Sequence, residues 1–270
     1  MGAAPAWDVY LVYSSGIEWK GKQPPKPLYF MHQLEALPAA RIEPSGPGNR
    51  ATENAAHARE RFFESMNERE HWETVYRKKG PEEVSWYRPH LERSLRFVEQ
   101  AGLTLKSAIL DVGGGASTLV DDLLARGFSD VSVLDISENA IARAKLRLGA
   151  RAETVTWLLA DITRVELPER RFDFWHDRAV FHFLREETDR LRYVQAVRRA
   201  LKPNGHIVVA TFGPAAPEQC SGLPVMRYTA EGIHEQFGGE FLKAGSCSEA
   251  HMTPWGSEQE FVYCYCRMPG

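Results

Sequence analysis

No apolar run in this 270-residue chain approaches the roughly 20 residues that a membrane-spanning helix needs. No basic segment followed by a long apolar stretch opens it either, so a secretory leader is not expected. Charge of one sign is also lacking in excess: 33 Lys and Arg stand against 36 Asp and Glu, a net charge of −3. A globally basic surface is therefore excluded, and neither a nucleic-acid nor a membrane partner is expected. Cysteine is absent until Cys220, and Cys220, Cys247, Cys264 and Cys266 all fall in the last quarter. Their intervals match none of the zinc-ligand spacings, which leaves free thiols in a reducing compartment and an expected cytoplasmic location. Cys264 and Cys266 are two apart, so on a strand they share a face, as small apolar fillers. Internal repeats are missing too.

What is present divides at about residue 66. Residues 1–65 hold seven of the sixteen prolines, with seven acids against seven bases and poor hydrophobic periodicity. Such a segment cannot bury enough surface to offset its ordering entropy, and it is read as a disordered extension. From Met66, MNEREHWETVYRKKG opens what reads as a compact domain over 66–270.

Along that domain the hydrophobic period alternates between two and 3.6 residues. Helical patterns at 68–78, LERSLRFVEQAG, STLVDDLLARGF, ENAIARAKLRLG and ETDRLRYVQAVRRALK are interleaved with strand patterns. The strands are SAILDV, VSVLDIS, TVTWLLAD, FDFWHD and GHIVVATF. Ser137 stands where an N-cap belongs and Gly127 where a C-cap belongs. A further helix near TAEGIHEQFG precedes two longer strands, FLKAGSCSEAH and QEFVYCYCRM, joined by MTPWGSE. Strands alternating with helices imply an α/β fold with a doubly wound, mostly parallel sheet, and the last pair implies an antiparallel hairpin at its edge.

In such sheets ligands bind outside the C-terminal strand ends, near the point where strand order reverses. The run ILDVGGGAS at 109–117 ends the first strand there. Its glycines allow positive φ and close approach of backbone to a ligand. A dinucleotide would need a third glycine where Thr118 stands, and its diphosphate would meet Asp111 as a like charge. A cationic ligand reverses that argument. S-adenosylmethionine carries a sulfonium and an ammonium and no phosphate, so an acid beside the turn suits it.

The run Asp111-Val-Gly-Gly-Gly-Ala-Ser117 resembles motif I of the class I S-adenosylmethionine-dependent methyltransferases, and the resemblance extends over 68–268. It implies a Rossmann-like seven-stranded sheet and S-adenosylmethionine as cofactor. By the same resemblance Asp111, Gly113 and Gly115 form the methionine end of the site. Asp135, with Ile136 after it, ends the second strand, where the family binds the ribose hydroxyls. Asp161 ends the third, where the adenine amino group is read, and Ile162 supplies backbone and an apolar wall. FDFWHD at 172–177 resembles the fourth-strand motif beside the methyl group.

Candidates near the methyl follow in WHDRAVFHF. Asp177 is a candidate for fixing the methionine ammonium or the acceptor, and His182 for a general base, its neutral form being available near pH 7. His176 alternates with Asp177 and reads as structural. Trp86 and Tyr87 are candidates to close over the cofactor, aromatic faces being suited to a sulfonium. Arg227 and Trp255 are weaker candidates for an acceptor pocket. HWETVYRKKGPEEVSWY resembles the opening of the elongation-factor and citrate-synthase type of protein lysine methyltransferases. Their Asp-Lys-Gly-Thr-x-Asp run is here Asp177-Arg178-Ala179-Val180-Phe181-His182, with histidine for the second acid. The run Trp175-His176-Asp177-Arg178-Ala179 resembles instead the thiopurine methyltransferases, which act on a small soft nucleophile. A small-molecule acceptor (thiol, metalloid or amine) is the favoured expectation, with a protein lysine as the alternative. A protein that binds S-adenosylmethionine without catalysis is the further alternative.

Overall fold

The computed structural model describes residues 67–270; the expectation for residues 1–65 lies outside the described residues. The chain is helical over 67–78 (α1), then makes a 3-10 turn at Pro81–Glu83 before α2 (Glu92–Gln100). There follow β1 (Ile109–Val112), α3 (Leu119–Ala125), β2 (Val131–Asp135), α4 (Glu138–Leu148) and β3 (Val155–Leu159). After β4 (Phe172–Arg178) come a 3-10 turn at Phe181–Phe183, α5 (Glu187–Ala200) and β5 (Leu201–Phe212). A two-residue-stranded hairpin, β6 (Gln219–Cys220) and β7 (Leu223–Pro224), leads to α6 (Ala230–Phe237), β8 (Leu242–Met252) and β9 (Glu258–Arg267).

The main sheet has seven strands in the order β3-β2-β1-β4-β5-β9-β8. Pairs from β3 to β5 are parallel, while β9 runs antiparallel to both β5 and β8. The expected hairpin is there, with β8 on the edge and β9 between it and β5. Strand order reverses between β1 and β4, which is where a doubly wound sheet opens a crevice.

Side-chain alternation sorts each strand between two apolar layers. Leu110, Trp175, Ile207 and Val262 face α5 and α6, together with Cys264 and Cys266. Ile109, Phe174, Val208 and Phe261 face α2 and α3. Phe174 and Trp175 are fully buried, and each contributes about 2–3 kcal/mol by leaving water. The Cys264 and Cys266 sulfurs lie 3.5 Å apart inside the first layer, the shared face that their spacing implied.

The helix caps form as read: the Ser137 hydroxyl accepts the Ala140 amide at 3.1 Å, and Gly127 sits at φ +89° behind α3. One boundary moves. The α5 pattern runs to Lys202, but the helix stops at Ala200 because Leu201 adopts extended backbone (ψ 138°) and pairs with Phe172 of β4. Among the described residues no helix is long and apolar enough to cross a membrane.

Candidate cofactor and acceptor cleft

A cavity of about 260 Å³ opens at the C-terminal ends of β1 to β4, and α1 with the β6–β7 hairpin forms its opposite wall. Asp111, Gly113 and Gly114 come from β1 and its turn, Asp135 and Ile136 from β2, and Asp161 and Ile162 from just past β3. Three consecutive strands thus deliver three carboxylates to one cleft. That charge suits a cation and opposes a diphosphate.

The turn after β1 has little room for side chains. Gly113 adopts φ +67°, and a Cβ there would lie 2.0 Å from Val180 Cγ2. At Gly114 a Cβ would lie 2.2 Å from Asp111 Oδ2. The bare backbone therefore makes space for the Asp111 carboxylate as well as for a ligand. Gly115 departs from its expected role and does not line the cleft. Its N–H donates to Asp135 Oδ2 at 2.9 Å, and a Cβ would meet the Ala140 Cβ of α4 at 2.5 Å. It lets helix and strand close up and orients Asp135.

Asp135 is buried and accepts the Ser137 amide on its other oxygen at 2.8 Å. Burial pushes its carboxyl up to about 6, against the pull of these two amides, with Asp111 and Glu73 adding to the rise. Asp161 accepts the Thr163 amide and hydroxyl at 2.9 and 2.7 Å and pairs with Arg164 at 3.2 Å. Asp111 Oδ2, by contrast, is buried without a hydrogen-bond partner. A carboxylate oxygen in that state is costly unless a ligand supplies a donor, and an ammonium is such a donor.

Aromatic rings build the far wall. Trp72 of α1 meets Trp86 and Phe183 edge-on at centroid distances of 5.7 and 5.1 Å, and Tyr76 meets Trp86 at 6.3 Å. All four rings line the cleft, as does Tyr87. Glu73 ties α1 to α4 by accepting the Glu138 and Asn139 amides at the start of that helix, at 2.5 and 3.1 Å. Those amides have no partner within their helix, so a carboxylate there is favourable.

Two expected site residues are not brought to the cleft. Asp177 is fully buried and faces α5, because alternation along β4 turns it away from the Asp111 side. It accepts the Val180 amide at 2.9 Å, the Phe181 amide at 3.1 Å and the Tyr193 hydroxyl at 2.7 Å. His182 is also fully buried, its Nδ1 accepting the Phe212 amide at 3.2 Å. Burial, with Arg178 nearby, pushes its imidazole down to about 3. Neither side chain lines the cleft. Arg227 is spent on the carbonyls of Pro214 and Ala216 and on Glu218, and Trp255 is exposed on the β8–β9 turn.

His176, read as structural, lines the cleft instead. It pairs with Asp111 in the β1–β4 register, and its Nδ1 lies 2.7 Å from Asp111 Oδ1. Arg88 and Arg178 were not singled out as site residues, and both line the cleft. Arg88 donates to His251 Nδ1 at 2.9 Å and Glu249 at 3.2 Å. Arg178 lies over the Phe261 ring, its Cζ 4.1 Å from the centroid, and donates to the Tyr263 hydroxyl at 3.1 Å and the Trp86 carbonyl at 3.0 Å.

Residues 110–209 match the family model described as a methyltransferase domain. That stretch carries a methyltransferase domain, in a fold shared with S-adenosylmethionine-dependent methyltransferases. Curated relatives include the mouse eEF1A lysine and N-terminal methyltransferase, 26% identical over 152 residues, which are 54% of this chain and 22% of that protein. The human EEF1A lysine methyltransferase 2 is 23% identical over 161 residues, 54% of this chain and 68% of that protein. The match thus spans about a fifth of the first of these relatives.

Solved structures share the methyltransferase fold at low identity. One, from work on the conversion of a disulfide bond into a thioacetal group during echinomycin biosynthesis, is 20% identical with a TM-score of 0.60, covering 74% of this chain and 92% of that one. Another is the Burkholderia thailandensis 1,6-didemethyltoxoflavin-N1-methyltransferase with its substrate and S-adenosylhomocysteine, at 19% identity and a TM-score of 0.52. It covers 84% of this chain and 93% of that one. The methyltransferase cleft fits the family's cofactor: a partnerless acid oxygen beside a glycine cradle, then two further acids in strand order.

Proposed function

We infer that the protein transfers a methyl group from S-adenosylmethionine to a small-molecule nucleophile such as a thiol, a metalloid or an amine. In this reading Asp111 meets the methionine ammonium, Asp135 the ribose hydroxyls, and Asp161 with Ile162 the adenine. Ile136 and the Trp86 ring are apolar walls. With β1, β2 and β3 given to the cofactor, the acceptor belongs on the β4 side, among Arg178, Val180, Phe183 and the β6–β7 hairpin.

The bound cofactor supplies a methyl on a sulfonium, open to in-line displacement. The protein's part is to hold the acceptor in line with it and keep water out, which alone can supply much of the acceleration. The aromatic wall and the apolar hairpin serve that exclusion. Among the described residues the two side chains expected near the methyl, His182 and Asp177, are spent within the fold, and burial pushes the Cys220 thiol up to about 12.

Arg178 carries the choice of acceptor. Among the described residues its Nη2 is buried without a partner, and the guanidinium reaches a carboxylate, Glu249, through the Tyr263 hydroxyl. A fixed cation there favours an anionic or soft neutral nucleophile and opposes a lysine ammonium, which must also lose a proton before it attacks. Neither the end of β4 nor the hairpin brings a carboxylate to receive that proton. Protein lysine methylation is the second reading, favoured by the names of the relatives, and it would draw on Glu68, which α1 brings to the cleft. Catalysis is assigned to residues 66–270 and a cytoplasmic location, in keeping with the free cysteines.

The test is incubation with methyl-labelled S-adenosylmethionine and a cell lysate, followed by division of the label. Label in small solutes supports the reading, whereas label on a protein band replaces it with the lysine reading. Cofactor binding with no label transferred anywhere would mark a non-catalytic binding protein.

A further inference from the structure

The Asp111 carboxylate does not stand alone. Its Oδ1 lies 2.7 Å from His176 Nδ1, and His176 Nε2 lies 2.8 Å from Ser94 Oγ on α2. Asp111 and His176 are 1% exposed and Ser94 0%, so the chain of contacts is dry except at its cleft end. A carboxylate can only accept, so Nδ1 must carry the proton that it donates. In the neutral imidazole Nε2 then accepts the Ser94 hydroxyl proton. The direction of the chain is set by its chemistry: Ser94 to His176 to Asp111.

Its free terminus is Asp111 Oδ2, the oxygen left without a partner. A neighbouring charge would push this carboxylate aside if nothing held it. Asp135, across the Gly115 turn, is a like charge. Gly114 lies against the carboxylate, where a Cβ would stand 2.2 Å from Oδ2, but it offers that oxygen no hydrogen bond. The donor from His176 is what specifies which oxygen is paired and which is left for a ligand.

We propose that Ser94 and His176 are positioning residues that hold Asp111 with Oδ2 aimed at the α-ammonium of the cofactor's amino-acid portion. This rests on the cofactor assignment made above. Neither residue touches the cofactor's reacting atoms; both act through Asp111. The consequence is selective: the relay strengthens binding of ligands that carry the ammonium and is indifferent to the nucleoside.

The experiment measures dissociation constants by calorimetry for S-adenosylhomocysteine, S-adenosylmethionine and 5′-methylthioadenosine, the last lacking the amino-acid portion. His176→Leu removes the donor and is expected to weaken the first two by about tenfold, as for loss of a hydrogen bond supporting a charged group. Binding of 5′-methylthioadenosine should change less than about twofold. His176→Asn places an amide nitrogen near the Nδ1 position and should recover most of the loss. Ser94→Ala, a helix-compatible change that leaves the imidazole in place, should show the same selectivity at smaller size.

Equal weakening of all three ligands by His176→Leu and Ser94→Ala would reduce the pair to core packing and overturn the proposal. Unchanged binding of all three would overturn it as well, by showing that Asp111 needs no anchor. If the unmodified protein bound none of the three, the cofactor assignment itself would fail and the proposal with it. Binding of 5′-methylthioadenosine alone would keep the nucleoside site and refute the role of Asp111.

Discussion

Replacing Gly113 by alanine tests the glycine turn at its tightest point. The new side chain meets two separate obstacles. Gly113 sits at φ +67°, where an L-residue costs about 1–2 kcal/mol more than glycine. Its Cβ would also stand 2.0 Å from Val180 Cγ2, an overlap that forces movement costing about 1–3 kcal/mol. The sum is a destabilisation of roughly 2–5 kcal/mol. Only the second part depends on Val180, whose Cβ would be an ordinary 3.5 Å away. Val180→Ala should therefore rescue Gly113→Ala by about 1–3 kcal/mol, though by itself it destabilises the parent by about 1 kcal/mol. Urea denaturation of the four proteins in this cycle gives the coupling, and S-adenosylhomocysteine titration shows whether cofactor binding follows. A Gly113→Ala protein as stable as the parent would refute both obstacles. Equal effects of Val180→Ala in the two backgrounds would refute the overlap alone.

Cofactor affinity should depend on pH through Asp135. Its carboxyl titrates near 6 in the free protein, and the ribose hydroxyls need the anion as acceptor, so affinity rises with pH up to about 6 and levels off above it. Calorimetric titrations across that range check the slope, and Asp135→Asn should bind weakly with the slope removed. Asp177 also titrates near 6 but does not line the cleft, so Asp177→Asn should leave the slope in place. The same change leaves one accepting oxygen for the Val180 and Phe181 amides and the Tyr193 hydroxyl, so at least one of these donors loses its partner, and it should cost about 1–3 kcal/mol of stability in thermal or urea unfolding. Because burial raises the Asp177 carboxyl above its unfolded value, its neutral form favours the fold. That contribution shrinks as pH rises through about 4 to 6. His182→Gln should lower stability without moving the pH–rate profile. A buried imidazole pushed down to about 3 is too weak a base at neutral pH, and a shifted profile would restore it as the base.

Much of this architecture was legible in residue order. The change of period from two to 3.6 at each boundary marked the strands and helices. The glycine run after β1 and the acids closing β1, β2 and β3 marked a cleft for a cation. Those features are local: a strand end, a turn and a cap each depend on a few consecutive residues. The two-residue strands of the β6–β7 hairpin were not legible, being too short to show a period. The α5 pattern overran by two residues because pairing of Leu201 with Phe172 is a contact between distant segments.

The tertiary structure alone decided which of two neighbours on β4 serves the site. His176 and Asp177 are consecutive and both polar, so one faces α2 and Asp111 while the other faces α5 and Tyr193. Which is which depends on the β1–β4 register, a relation between strands more than sixty residues apart that no local pattern encodes. Arg178 is a similar case. Its charge is plain in the sequence, but its unpartnered nitrogen exists only because Tyr263, Trp86 and Phe261 converge on it from remote segments. Strand ends and turns are written in neighbouring residues, whereas the partners of a buried polar atom are set by packing across the whole fold.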